Sequence, residues 1–233
     1  MFQRPLNRLI NVHIPKTAGS NFRVQMERHC NVIGIDRGID YDDYFAGLRC
    51  AAYQSIPELT SPGLNFMSGH YRYRDVKGIA RSQPIEVSFV TFLREPVSRL
   101  LSDYFYSISP AHTSQSAFLN QYPTFEIYLA DDGQINKQLT YLQPAENASV
   151  ADTFESLEKD FAFVGITEHF ETHFEELRIA LNFPKTPPSH DNTGLKTDER
   201  YKVSQQFRDQ IADLHRDEIE LYDLVCQAWK NES

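Results

Sequence analysis

The stretch that most restricts the fold is Glu86–Leu93, E-V-S-F-V-T-F-L, because its alternation leaves little polarity on either side. Val87, Phe89, Thr91 and Leu93 would line one face of a strand, and Glu86, Ser88, Val90 and Phe92 the other. A strand apolar on both faces needs cover on both, and the common solution is a central parallel sheet between layers of helices. The next residues agree. Arg94 ends the run, Glu95-Pro96 can open a helix because a first turn tolerates proline, and Val97, Leu100, Leu101, Tyr104 and Phe105 mark one apolar stripe. Arg94 is therefore expected at the carboxyl end of a buried strand and Ser102 two turns into the following helix, both able to face one ligand. By itself, an arginine in that place is more often an ion-pair partner of the core.

A second unit of the same kind lies near the start of the chain. Leu9, Asn11 and His13 alternate with Ile10, Val12 and Ile14, and Pro15 withdraws a backbone donor and ends the ladder. Lys16-Thr17-Ala18-Gly19-Ser20-Asn21 follows, small or hydroxyl residues behind a lysine, with Ser20 or Asn21 placed to cap a helix whose inner face carries Phe22, Met26 and Cys30. An anion at that turn would meet helix N–H groups, the positive end of the helix dipole and the Lys16 ammonium. It is not a Walker A loop, which needs glycines before its lysine where this chain has Ile14 and Pro15.

Between these units, Asn31–Ile35 reads as a strand and 36–61 as a helix followed by turns at Pro57 and Pro62. Asn65–Gly69 reads as a strand that leaves His70 at its end, where sites sit in parallel sheets. Tyr71-Arg72-Tyr73-Arg74-Asp75-Val76-Lys77 is the densest basic patch, expected as a solvated strand or loop face, with an acceptor-binding lip through Arg72 and Arg74 as the functional alternative. Farther on, 124–130, 135–142 and 152–161 read as short helices, Phe161–Ile166 as a last strand, and Thr167 as the cap of a helix through Phe170, Phe174, Leu177 and Leu181. A proline-rich loop spans 183–196, and the tail from Tyr201 to Trp229 reads as two helices broken near His215.

The formal charge of −9 over 233 residues argues against nucleic acid or an anionic membrane as partner, while leaving room for a local basic pocket. Cys30, Cys50 and Cys226 are too few and too scattered for a disulfide framework or a metal knuckle and are expected to be reduced. No apolar run suggests a signal peptide or membrane anchor, so the expected setting is cytoplasmic, and the sequon at Asn147-Ala148-Ser149 is taken as chance.

Two motifs together carry a family resemblance. H-I-P-K-T-A-G-S, His13 to Ser20, resembles the 5'-phosphosulfate loop of sulfotransferases, in particular the heparan sulfate and uronosyl 2-O-sulfotransferase branch. L-R-E-P-V-S-R-L-L-S-D-Y, Leu93 to Tyr104, resembles the family's 3'-phosphate motif. F-V-G-I-T-E, from Phe163, and the Asp217–Val225 pattern are weaker echoes of it. The resemblance implies an α/β, P-loop-like three-layer fold with a central mainly parallel sheet flanked by helices, in one domain over 1–233. Its implied donor is 3'-phosphoadenosine 5'-phosphosulfate, used without a metal, and its acceptor a saccharide or small-molecule hydroxyl. Lys16 would neutralise charge on the leaving phosphate, which Thr17, Ala18, Gly19, Ser20 and Asn21 would hold. Arg94 and Ser102 would take the 3'-phosphate, and Asn192, Thr193 and Lys196 would lie near the phosphates in a closing loop. His70 falls where the branch carries its catalytic base, and an imidazole with pKa near ~6.5 suits that task. The branch tends to carry another histidine where this chain has Ser68, and His13, where the branch can have arginine, is open to a supporting role. Two rivals stand beside this reading: a kinase-like phosphotransferase using the same cradle for ATP, and a nucleotide-binding module that transfers nothing.

Overall fold

The computed structural model describes residues 8–33, 65–82, 87–185 and 203–232. The expected helix and turns of 36–61, and Cys50, Asn192, Thr193 and Lys196, lie outside the described residues. Five strands, β1 (Arg8–Val12), β2 (Asn31–Ile33), β3 (Asn65–Gly69), β4 (Ser88–Leu93) and β5 (Phe161–Ile166), form one parallel sheet in the order β2-β3-β1-β4-β5. The chain builds one side of β1 first, then crosses to the other. The carboxyl ends of β1 and β4, neighbours in register from Leu9↔Ser88 to Asn11↔Val90, therefore flank a topological switch point, where open α/β sheets bind ligands.

β4 is buried along its whole length, as its two apolar faces require, and β1 is buried at Leu9, Ile10, Asn11 and Val12. The polar members are satisfied inside the sheet: Asn11 Nδ2 donates to Ser68 Oγ at 2.9 Å and Thr91 Oγ1 to the Val12 carbonyl at 2.8 Å. Ser68 is thus committed to a bond between strands. Helix α1 (Gly19–Glu27) covers one face by inserting Phe22 against Phe66 and Phe92, ring centroids 5.3 and 5.1 Å apart, with Met26 beside it.

Helix α2 (Tyr73–Ser82) replaces the strand or loop face expected for the basic patch. Four alternating residues are too few to fix a strand, whereas Tyr73 and Val76 share a helical face and are both buried. The Tyr73 hydroxyl donates to Asp160, and the Arg72 carbonyl accepts from Asp75 N and Val76 N.

Helix α3 (Pro96–Ser107) begins at the end of β4, with Glu95 as its cap. Its stripe of Val97, Leu100, Leu101 and Tyr104 packs on a second apolar cluster with Tyr122, Tyr128 and Ile211 rather than on the main core. These three come from the C-cap of α4 (Gln115–Gln121), from α5 (Phe125–Leu129) and from α9 (Gln205–Leu214). The remaining helices are α6 (Lys137–Leu142), α7 (Val150–Asp160), α8 (Phe170–Ala180) and α10 (Arg216–Glu232). The tail breaks at His215, as the periodicity predicts, and its Trp229 donates to the Val164 carbonyl at 2.8 Å. Thr167 does not cap α8. It opens a one-turn 3-10 helix, Thr167–His169, and α8 starts behind His169 with no side-chain cap.

Candidate active site

The turn between β1 and α1 is pinned from within. His13 N donates to the Gly69 carbonyl at 2.9 Å, and Thr17, its side chain turned inward, donates from Oγ1 to the Ile14 carbonyl at 2.9 Å. Lys16 and Ala18 both have left-handed backbones, φ 69° and 63°, which costs a non-glycine residue about 1–2 kcal/mol. Such turns gather backbone N–H groups into anion-binding concavities. Ala18 is the cap residue of α1, without any side-chain cap bond, so neither Ser20 nor Asn21 caps the helix as expected; both lie in its first turn. Ala18 therefore offers no side-chain acceptor to the first N–H groups of the helix. Gly19 is required by space: a Cβ there would fall 1.9 Å from His13 Nε2.

Lys16 Nζ sits 3.6 Å above the centre of the Tyr106 ring, a cation–π seat supplied by the last turn of α3. Burial lowers the lysine pKa to about 8; the Asp103 carboxylate works against that shift and the Arg94 guanidinium adds to it. Arg94 reaches the same turn, donating from Nη1 to the Lys16 carbonyl at 3.2 Å. The lysine and the arginine, expected on separate motifs, thus share one site. Ser102, buried, lies one helical turn before Tyr106 and so on the same side of α3.

His70 directly follows β3. Its Nδ1 lies 2.7 Å from the His13 carbonyl oxygen, and the two imidazoles stack at 4.2 Å with 24° between planes. A carbonyl can only accept, so Nδ1 carries the proton and the lone pair is on Nε2. Burial, then His13 and Lys137, push the His70 pKa well below its usual value, and burial, Arg23 and Lys16 bring His13 to about 4. Both rings are neutral at neutral pH, the state a proton acceptor needs.

Arg72 and Arg74 are both partly buried, the first just before α2 and the second within it, next to the buried Tyr71 and Tyr73. Among the described residues, no group of three or more His, Cys, Asp or Glu is arranged to hold a metal ion, and no helix is long and apolar enough to cross a membrane.

Sequence reasoning missed a buried polar hub beneath α3. Arg99, fully buried, meets Asp103 at 3.3 Å and Glu218 at 3.6 Å, while Lys137 Nζ reaches Asp103 at 3.2 Å. Burial alone would raise the Asp103 pKa, but Lys137, Arg99 and Lys16 together hold it at about 2. Removing one member of such a group strands the charge of another, at a cost of about 3–5 kcal/mol. The spacing of Arg99 and Asp103 is a visible helical i,i+4 pair; that Glu218 and Lys137 join it is not visible locally.

No protein-family model matches the sequence, and no curated protein matches it. Solved structures do resemble the fold. A mouse sulfotransferase, SULT7A1, in complex with PAP aligns with a TM-score of 0.52 at 12% identity, covering 95% of this chain and 90% of that one. A sulfotransferase from Alicyclobacillus acidocaldarius aligns with a TM-score of 0.53 at 13% identity, covering 97% of this chain and 99% of that one. The parallel sheet flanked by helices is therefore a fold shared with sulfotransferases.

Proposed function

We propose that this chain is a sulfotransferase that uses 3'-phosphoadenosine 5'-phosphosulfate and delivers its sulfuryl group to a hydroxyl of a saccharide or small molecule in the cytoplasm. One observation carries the reading. The turn that bears Lys16 and leads into α1, and the guanidinium of Arg94, converge at the carboxyl edge of β1 and β4, 3.2 Å apart at their contact. Two cationic groups beside a helix N-terminus fit a nucleotide with phosphates at both ends, and the fold shared with sulfotransferases supports the same assignment.

When bound, the nucleotide supplies the sulfuryl group. The open start of α1 holds its 5'-phosphate, and the Lys16 ammonium stabilises the charge that grows on the departing phosphate oxygen. Arg94, with Ser102, holds the 3'-phosphate. His70, its Nδ1 proton committed to the His13 carbonyl, accepts the acceptor's hydroxyl proton at Nε2. Alignment and charge stabilisation do most of the work in such transfers. A relation to the uronosyl 2-O branch rests on the loop motif and the position of His70, and Ser68 is the departure from it.

Calorimetric titration with adenosine 3',5'-bisphosphate and with ATP, on the wild type and Arg94→Ala, tests this. The expected result is tight binding of the bisphosphate, weak or no binding of ATP, and loss of the bisphosphate in the variant. Preference for ATP, or an unchanged Arg94→Ala, moves the kinase-like reading ahead. Binding without sulfuryl turnover on any hydroxyl acceptor leaves the non-catalytic module.

A further inference from the structure

Gln138, the second residue of α6 and 1% exposed, brackets Arg94. Arg94 N donates to Gln138 Oε1 at 2.9 Å, and Gln138 Nε2 donates back to the Arg94 carbonyl at 2.9 Å. The same Nε2 donates to Glu218 Oε1 at 2.6 Å, which fixes the orientation of the amide, since only its NH2 end can face a carboxylate. The need for this bracket follows from where β4 stops. Its pairing with β5 ends at Leu93↔Ile166, so the peptide groups of Arg94 lie one residue beyond the ladder. Both are obligatory hydrogen-bonding groups, and a single glutamine side chain serves them as a further strand would.

The bracket stands on a stiff mount. Asn136 N donates to His215 Nδ1 at 3.2 Å, Glu218 N donates to Asn136 Oδ1 at 3.2 Å, and Lys137 Nζ meets Asp103 at 3.2 Å. Three consecutive residues, 136 to 138, are thus tied to the start of α10, to α3 and to the end of β4. Arg94 sits at the far side of this mount, and its guanidinium projects to the Lys16 carbonyl.

We propose that Gln138 is a positioning residue for Arg94, pinning its backbone so that the guanidinium meets the 3'-phosphate, and that the preference for a 3'-phosphorylated nucleotide therefore depends on α6 and the first turn of α10. This rests on the assignment of Arg94 under the proposed function. A purely structural glutamine would support all nucleotides alike. A positioning one acts selectively on the 3'-phosphate.

The test compares adenosine 3',5'-bisphosphate with adenosine 5'-phosphate by calorimetric titration of wild type, Gln138→Met and Gln138→Glu. Met keeps the volume and removes both bonds to Arg94 along with the one to Glu218. Glu keeps the acceptor for Arg94 N but turns a carboxylate oxygen toward the Arg94 carbonyl and Glu218. The expected result is a loss of about tenfold in the ratio of the two affinities in either variant, the scale of one impaired charge-assisted bond, with 5'-phosphate binding nearly constant. Should Gln138→Met fail to fold, Gln138→Glu gives the same ratio. A wild-type preference that survives in the folded variants, or an equal loss for both nucleotides, overturns the proposal. A wild type without preference overturns the reading beneath it as well.

Discussion

Two strand-turn-helix units stand side by side on one sheet edge and end in opposite ways. After β1 the helix start is open: Ala18 caps nothing with its side chain, and two non-glycine residues hold left-handed backbones. After β4 it is closed. Glu95 accepts from Val97 N at 2.9 Å and Ser98 N at 2.8 Å, Pro96 has no N–H to satisfy, and Arg208 Nη2 pairs with Glu95 at 3.2 Å. Glu95 N itself donates to Glu168 Oε1 at 3.1 Å. The difference teaches a division of labour. The first unit has no side-chain cap on its helix, which the proposed function uses for an anion, while the second is capped by its own glutamate and would offer only side chains, Arg94 and Ser102.

The largest effect expected from breaking this division is on Lys16, the one charged side chain of the open turn. Lys16→Met should lower sulfuryl transfer about 100- to 1,000-fold, as removal of a group that stabilises transition-state charge does, with a much smaller loss of bisphosphate affinity. Single-turnover rates and calorimetry on the same variant separate the two; equal losses in both would make Lys16 a binding group only.

The pH profile probes the same turn without mutation. In the proposed reaction Lys16 acts as the ammonium, and its pKa lowered to about 8 predicts that kcat/KM, which reports the free enzyme, falls as pH rises through about 8. His70, as the proposed base, acts as the neutral ring, and its lowered pKa predicts an acid side that stays flat from neutrality to below the usual histidine range. A fall in rate already complete between pH 7 and pH 6 would place the base elsewhere.

Making the open unit resemble the closed one should have a smaller effect. Ala18→Asp places a carboxylate at the start of α1, so bisphosphate affinity should drop about tenfold through charge repulsion at the proposed phosphate seat. If affinity holds in calorimetry, the α1 N–H groups are not the phosphate seat. The smallest functional effect belongs to the converse change. Glu95→Ala opens the second unit at a cost of about 1–2 kcal/mol in denaturant unfolding, yet nucleotide affinity should stay within about twofold. A larger affinity loss there would mean that the cap also positions Arg94.

Much of this could be read from the sequence because each unit is local. Alternation in Leu9–Ile14 and Glu86–Leu93, proline at a first turn and the break at His215 are all signals carried within a dozen residues, and the structure has the corresponding elements. Local reading failed where short patterns compete. Tyr71–Lys77 alternates too briefly to outweigh the helical face shared by Tyr73 and Val76. Ser20 and Asn21 have good capping chemistry, but the chain is already helical at Gly19, which makes Ala18 the cap residue and leaves both of them inside the first turn.

The sequence by itself determined which residue types stand at strand ends: a lysine before a small-residue turn, an arginine before a glutamate-capped helix, a histidine after a glycine. Only the tertiary structure decided which of them meet. Lys16 and Arg94 are 78 residues apart in the chain, His13 and His70 57, and Gln138 lies 44 beyond the arginine it brackets. These contacts exist because strand order puts β1 between β3 and β4. That order is set by how helices and strands pack as whole surfaces, a property that no window of local periodicity contains.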